Sequence, residues 1–320
     1  MSPKLPQKQP PKPPQDPQIT LAWEAANRKR AAICAWVAAG LTIVGSLLAS
    51  MGTSSVPTFN NSVVTGPAAM NDLLAGQPIP PGRTAMQVLW FQDHLSPVNY
   101  VGTVLAGIAA LLLFGVIVFL FKATRARNPG FGQATLIAGA FGAVAFGVGT
   151  MVAQLSSFIG ISGFSGGNNL QASEALTGGP VYAGQILLTL GSFGLGFAFV
   201  MIGLNAMRVG LLTRFMGILA MIVGATFIIP QVDPQGVLRS FWLAVVAFVF
   251  ILRWPGNKIP PAWLSGKAEP WPSLAAGRAE KSDASGPDSA PEPAPAPSLP
   301  QSSSNGDAAD DLRKKRKRKK

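Results

Sequence analysis

Two long apolar runs fill residues 181–230, and the segment that joins them, residues 205–214, contains Arg208 and Arg214 but no acidic residue. An apolar helix of about 20 residues crosses the hydrocarbon core of a bilayer, which is roughly 30 Å thick. Short connections that are rich in arginine and lysine stay on the cytoplasmic side of a membrane. The sequence therefore predicts a transmembrane hairpin with a cytoplasmic turn, and this turn orients the other apolar runs.

The composition agrees with a chain that is mostly surrounded by lipid. Only 12% of the 320 residues are charged, about half the share of a typical soluble protein, and the mean hydropathy is +0.32. The net charge is +12, but eight of the 26 lysines and arginines form the last eight residues, and most of the others flank apolar runs. The basic character therefore reflects membrane topology and one basic tail.

The chain has few residues that could form a disulfide or a metal site, since it contains one cysteine, Cys34, and one histidine, His94. A single cysteine cannot form an intramolecular disulfide, and a single histidine excludes a bis-histidine haem within one copy. Asp93 and His94 form a pair that could act as acid and base, with a solvated or helix-capping histidine as the alternative. We predict no catalytic, cofactor-binding or metal-binding residues.

We predict that residues 1–30 form a cytoplasmic arm, whose first part is rich in proline and disordered. A lead-in helix follows over residues 19–30, in which Glu24 pairs with Arg28. Trp23 suits the headgroup level of that helix. The first span covers residues 31–51, which is too long for the apolar core of a signal peptide.

Residues 52–98 contain Arg83 as their only cation, and this predicts an extracytoplasmic loop. Two short helices are expected within it, over residues 67–74 and 84–94. The second helix places Met86, Leu89 and Trp90 on one face, which suits a helix that lies on the membrane or caps the bundle.

Residues 99–253 predict the other five spans. In chain order these are residues 100–121, residues 134–158, the two runs of the hairpin, and residues 237–252. The last span is short, because only 13 residues, or about 20 Å of helix, separate Arg239 from Arg253. Both arginines would have to reach for the interfaces, or the bilayer would have to thin. This topology places both termini inside with 24 of the 26 cations, and leaves Arg83 and Arg239 outside.

The predicted spans contain small residues at four-residue spacing, and their central parts contain no Asp, Glu, Lys or His. Small residues allow helices to approach closely in lipid, and we expect that contact within one chain, while homo-oligomerisation stays open. The absence of central charges argues against ion-coupled transport, although an uncoupled channel stays open. The polar side chains of note, Gln154, Gln185 and Asn205, lie near span ends. The small-residue positions include Gly102, Ala106 and Ala110, Gly139, Ala143 and Gly147, Gly194 and Ala198, and Ala220 and Gly224.

Residues 254–320 predict a cytoplasmic segment of two parts. Trp254, Trp263 and Trp271, spaced by prolines, are typical of a strap along the headgroups, and the rest predicts a disordered tail. Each tail cation near an anionic leaflet contributes about 1 kcal/mol of attraction. Non-specific nucleic-acid binding and a solubilising tail without a partner are the alternatives. The predicted contacts to anionic phospholipid headgroups are Arg313, Lys314, Lys315, Arg316, Lys317, Arg318, Lys319 and Lys320.

Four stretches carry a resemblance, namely residues 122–127, 208–224, 252–255 and 267–272. They resemble a family of multi-span membrane proteins of actinobacteria that has no assigned activity. The resemblance covers roughly residues 85–272. It implies a bacterial cytoplasmic membrane and no catalytic residues.

Together these features predict an all-α bundle of six transmembrane helices. We expect a non-enzymatic scaffold or interaction protein without a cofactor, whose basic tail contacts anionic lipid. A small uncoupled transporter or channel is the first alternative, and an intramembrane enzyme is the second.

Overall fold

The computed structural model describes residues 16–53, 66–77, 82–167, 169–253 and 259–269. The predicted proline-rich arm and the basic tail lie outside these ranges. The described part of the chain is all-helical, with one 3₁₀ turn at Pro230–Val232. Its helices are α1 (Pro17–Ser50), α2 (Gly66–Leu74), α3 (Arg83–His94), α4 (Pro97–Arg127), α5 (Gln133–Ser162), α6 (Asn169–Thr177), α7 (Gly179–Arg208), α8 (Arg214–Ile228), α9 (Val237–Phe250) and α10 (Ala262–Ser265).

Four helices, α1, α4, α5 and α7, are long and apolar enough to cross a membrane. They contain 30 to 34 residues, which corresponds to about 45–51 Å of helix against a hydrocarbon core of roughly 30 Å. The helices α8 and α9 are also apolar but contain only 15 and 14 residues. The prediction of a helical membrane protein therefore agrees with four long helices, and the last two predicted spans are short ones.

The first span and its lead-in helix form one continuous helix. Asp16 caps α1, because its side chain accepts a hydrogen bond of 2.9 Å from the backbone N–H of Gln18, and Pro17 occupies the first turn. No residue between Pro17 and Ser50 breaks the hydrogen-bond ladder. The helix therefore extends well beyond the apolar residues 31–51.

The long helices pack through the small residues that the sequence indicated. A Cβ atom added to Gly102 of α4 would lie 2.8 Å from the carbonyl oxygen of Gly45 in α1, and one added to Gly194 of α7 would lie 2.7 Å from that of Ala138 in α5. Such distances require backbone-to-backbone approach, which van der Waals packing in lipid favours. The prediction that these residues serve contacts within one chain is confirmed at these positions.

The α8–α9 hairpin accompanies only part of α7. Gly217 near the start of α8 contacts Gly203, and Gly224 near its end contacts Gly196, which lies 12 residues before Arg208. Seventeen residues of α7, about 25 Å of helix, precede Gly196. The turn between α8 and α9 therefore lies near the middle of the long helices.

A second, smaller core lies at the far end of α5. It contains Ala85 and Val88 of α3, Ile161 at the end of α5, Phe164 just after α5, and Ala172 of α6. The two helices expected between the first two spans are confirmed, whereas α6 was not predicted. The buried face of α3 is centred on Ala85 and Val88, so the predicted apolar face of Met86, Leu89 and Trp90 is only half-buried. The helix α3 thus caps the bundle by packing on α5 and α6.

Candidate functional site

Most described cations gather at one end of the bundle, which we call the basic end. It comprises the first part of α1, the end of α4 with the α4–α5 connection, the end of α7 with the start of α8, and residues 251–253 and 259–269. These segments contact one another, as when Trp263 donates to the carbonyl oxygen of Leu211 at 2.9 Å. Of the 12 lysines and arginines in the described ranges, all but Arg83 and Arg239 lie at this end. The ten are Arg28, Lys29, Arg30, Lys122, Arg125, Arg127, Arg208, Arg214, Arg253 and Lys267.

A buried ion pair ties three segments together at the basic end. The side chains of Glu24 and Arg127 are fully buried, and the guanidinium donates to both carboxylate oxygens. Arg127 also donates to the carbonyl oxygen of Ala262 at 2.6 Å and to that of Ala123 at 3.0 Å. The direct ion-pair partner of Glu24 is therefore Arg127 and not the predicted Arg28, which interacts with the carboxylate only as a nearby charge.

The tryptophan at position 263 belongs to the core. Its ring is 1% exposed and lies parallel to that of Phe119, with 5.9 Å between the ring centroids. The guanidinium of Arg127 lies 5.6 Å from the same indole ring. The expected position of Trp263 along the headgroups is thus corrected, whereas Trp254 and Trp271 lie outside the described residues. An apolar ring with one N–H donor suits either place, so the sequence alone could not decide between them.

A cleft of about 210 Å³ opens between α1 and α4 at the basic end. Its polar part is formed by Trp23, Asn27, Arg30 and Lys122, and the ammonium group of Lys122 lies 5.4 Å from the ring of Trp23. The part nearer the middle of the bundle is apolar and includes Cys34. The cleft is therefore amphiphilic along its length.

The turn between α8 and α9 contains a second group of polar side chains. Asp233 is buried and accepts hydrogen bonds from the backbone N–H groups of Leu238 and Arg239, at 3.3 and 3.2 Å. The guanidinium of Arg239 lies 4.0 Å from the ring of Phe227 and 5.6 Å from that of Phe146. Both aromatic residues pack in or against the main core, so Arg239 lies among the helices, whereas the sequence predicted that its side chain reaches for the interface unless the bilayer thins.

The predicted polar residues of the spans do not converge on a site. Gln154 and Gln185 are exposed on the outside of the bundle. Asn205 is buried, donates to the carbonyl oxygen of Met201 at 2.8 Å, and accepts from Asn128 at 3.4 Å. Its role is to join the end of α7 to the α4–α5 connection.

Asn99 is a structural residue that the sequence analysis missed. Its side-chain nitrogen lies 2.9–3.3 Å from the carbonyl oxygens of Leu48, Ala49 and Met51. The last carbonyls of a helix lack partners within the helix, and this amide supplies one to the end of α1. The SxxN pattern that starts at Ser96 was the available local signal, since the two residues form a capping box.

His94 is exposed and packs on its own helix. Its ring stacks on Trp90 with 4.1 Å between centroids, and its Nδ1 lies 2.8 Å from the carbonyl oxygen of Trp90. Asp93 is also exposed. The geometry matches the helix-capping alternative better than acid–base chemistry. In the ranges that the structure describes, no three His, Cys, Asp or Glu side chains could hold a metal ion together.

The space between α4, α7, α8 and α9 is filled by apolar side chains. Its void has a volume of only about 10 Å³, which is below or at the size of one water molecule, and its lining includes Ile117, Phe199 and Trp242. The lining of this void is apolar, and the N–H group of Trp242 donates to the carbonyl oxygen of Met216 at 3.1 Å.

Comparisons with protein-family models, with curated proteins and with solved structures give no match to this chain.

Proposed function

We propose that the chain is a non-enzymatic integral membrane protein whose basic end faces the cytoplasm and contacts anionic lipid. One observation carries the proposal, namely that ten of the 12 described cations lie at the same end of four long apolar helices. Arginine and lysine near span ends determine orientation, and the inner leaflet is the anionic one. The resemblance to actinobacterial membrane proteins supports a bacterial cytoplasmic membrane.

The proposed topology has six membrane-embedded segments and places both termini in the cytoplasm. The helices α1, α4, α5 and α7 cross the bilayer, and α8 and α9 enter and leave from the cytoplasmic side. Because α8 and α9 are only about 21–23 Å long, their turn lies within the lipid layer or the bilayer thins around it. The buried Asp233, which caps α9, supports a turn inside the protein-lined part of the membrane.

The two alternative functions have weaker support. A channel needs a polar path through the bundle, and the void between α4, α7, α8 and α9 is apolar and has a volume of only about 10 Å³. An intramembrane enzyme based on Asp93 and His94 needs these side chains to face a pocket, and both are exposed at the end of α3.

Compartment-sensitive reporters fused after residues 75, 170 and 320 test the topology. The proposal expects extracytoplasmic activity at the first two positions and cytoplasmic activity at the third. A reporter at residue 320 that is active only outside the cell would refute it.

The lipid contact of the tail is tested in sealed liposomes that contain the whole protein, with the tail facing outward. The rate at which an added lysine- and arginine-specific protease removes residues 313–320 is measured. Anionic liposomes should protect the tail at low salt, zwitterionic ones should not, and salt should remove the protection because exposed charges are screened. Equal cleavage rates in both liposomes at low salt would end this part of the proposal.

A further inference from the structure

The cleft between α1 and α4 has the chemistry of a phospholipid. We propose that it binds one anionic phospholipid of the surrounding leaflet, with the phosphate at Arg30 and Lys122 and the start of one acyl chain along the apolar part. The site is formed by residues of α1 and α4 and includes no residue of the tail. The inference rests on the proposed function only for which leaflet supplies the lipid.

The polar part of the cleft is cationic and lacks an acidic neighbour. Arg30 of α1 and Lys122 of α4 line it from opposite sides, both side chains are exposed, and no carboxylate is among the lining residues. The nearest acid in sequence, Glu24, gives both of its oxygens to Arg127. A phosphate supplies the charge that this arrangement lacks, and charge-assisted hydrogen bonds to phosphate are among the strong ones.

The apolar part of the cleft continues in the direction of the bilayer centre. Cys34 lies four residues, about 6 Å, beyond Arg30 on α1, and Gly115 lies seven residues, about 10 Å, beyond Lys122 on α4. A Cβ on Gly115 would lie 3.2 Å from the sulfur of Cys34, so the two helices close the floor of the cleft there. Polar and apolar groups thus follow the same order as the headgroup and chain of a lipid.

The size of the cleft fits a headgroup and the start of one chain. Its volume of about 210 Å³ is below the roughly 300–1,000 Å³ of pockets that enclose a drug-sized ligand. A phospholipid needs only its phosphate, its glycerol and the start of one chain to be held, since the bilayer surrounds the rest.

The only cysteine of the chain provides the assay, because Cys34 lines the cleft and is half-buried. The full-length protein in micelles of an uncharged detergent is labelled with a small uncharged maleimide, and the rate is measured against added lipid. We expect phosphatidylglycerol to slow the labelling of Cys34 at concentrations at least tenfold lower than phosphatidylcholine does.

Two variants with the same change in charge separate the cleft from the basic end as a whole. Replacing both cleft cations, R30Q/K122Q, should raise the phosphatidylglycerol concentration for half-protection about 30-fold, since each cation near an anionic headgroup contributes about fivefold. The matched control, K29Q/R214Q, removes two exposed cations that do not line the cleft and should change it less than twofold. Native mass spectrometry of the same samples should show the corresponding loss of retained phosphatidylglycerol.

Several results would overturn the inference. These are equal losses in the two double variants, equal protection by both lipids, or protection of Cys34 by inorganic phosphate alone, which would indicate a soluble anion. A third variant, with glutamine at all eight tail cations of residues 313–320, keeps the two proposals apart. If this variant loses only the protection of the tail in liposomes, the proposed lipid site in the cleft is retained. If it also loses the protection of Cys34 by phosphatidylglycerol, the proposed lipid site is refuted.

Discussion

Replacing Arg127 by leucine tests whether the buried ion pair holds the basic end together. The variant leaves the carboxylate of Glu24 fully buried without its partner and leaves the carbonyl oxygen of Ala262 without its donor. Loss of one member of a buried pair costs about 3–5 kcal/mol, and an unsatisfied buried carbonyl costs about 1–3 kcal/mol. We therefore expect R127L to lower the free energy of unfolding by about 3–5 kcal/mol or more.

The double variant E24L/R127L shows how much of the loss in R127L comes from the unpaired charge of Glu24. With both charges gone, the carbonyl of Ala262 is the main group left without a partner, so the expected loss falls to about 1–3 kcal/mol. The matched control is R125L, which removes a half-buried arginine from the same turn of α4, where it lies 5.8 Å from the ring of Phe121. We expect this control to cost less than about 1 kcal/mol.

Unfolding of the purified protein in mixed micelles, by titration with a denaturing detergent, measures all of these free energies. Protease cleavage of residues 259–269 gives a second readout, because R127L releases the contact to Ala262. The reasoning is refuted if R127L costs no more than R125L. It is also refuted if the double variant is as unstable as R127L, since the cost would then not come from an unpaired charge.

Three further predictions concern packing and capping. The variant G102A places a Cβ against the backbone nitrogen of Ala49 and should lower the free energy of unfolding by about 1–3 kcal/mol. The control G40A, where no atom lies within 4 Å of the added Cβ, should be neutral or stabilise by up to about 1 kcal/mol. Equal effects of the two variants on unfolding in micelles would refute the close contact. The variant W263F removes the hydrogen bond to Leu211 and should lower the free energy of unfolding by about 1–3 kcal/mol. The variant W263A should lower it by about 3–5 kcal/mol and speed proteolysis of residues 259–269. Equal proteolysis rates in the native protein and both variants would contradict the buried position. The variant D233A removes the cap of α9 and should cost about 1–2 kcal/mol, with D233N between it and the native protein; a D233A protein of native stability would mean that the cap is dispensable.

Local patterns in the sequence predicted the long helices well. The apolar runs at residues 100–121 and 134–158 correspond to α4 and α5. The helix α4 continues past its run through the basic residues 122–127, and α5 continues past its run through residues 159–162. The two helices before α4 were also predicted, since their spacing and flanking prolines are local features. The basic C-terminal tail lies outside the described residues, so its contact with anionic lipid stays a prediction.

The contacts that give the basic end its structure could not be predicted in the same way. Glu24 and Arg127 are 103 residues apart, and Arg127 and Ala262 are 135 apart. A local pattern shows a charge near a span end but does not identify the partner that neutralises it. For this reason the sequence paired Glu24 with the nearest opposite charge, Arg28, and predicted neither the direct pair with Arg127 nor the cleft beside α1.

The link between Arg127 and Ala262 also bears on biogenesis. At a translation rate of about 5–20 residues per second, the 135 residues that separate them take roughly 7–27 s to synthesise. During that interval α1 and α4 are already made, but the donor groups of Arg127 lack one acceptor and the indole of Trp263 does not yet exist. The start of α1 is therefore synthesised first, but the contacts around it at the basic end are completed last.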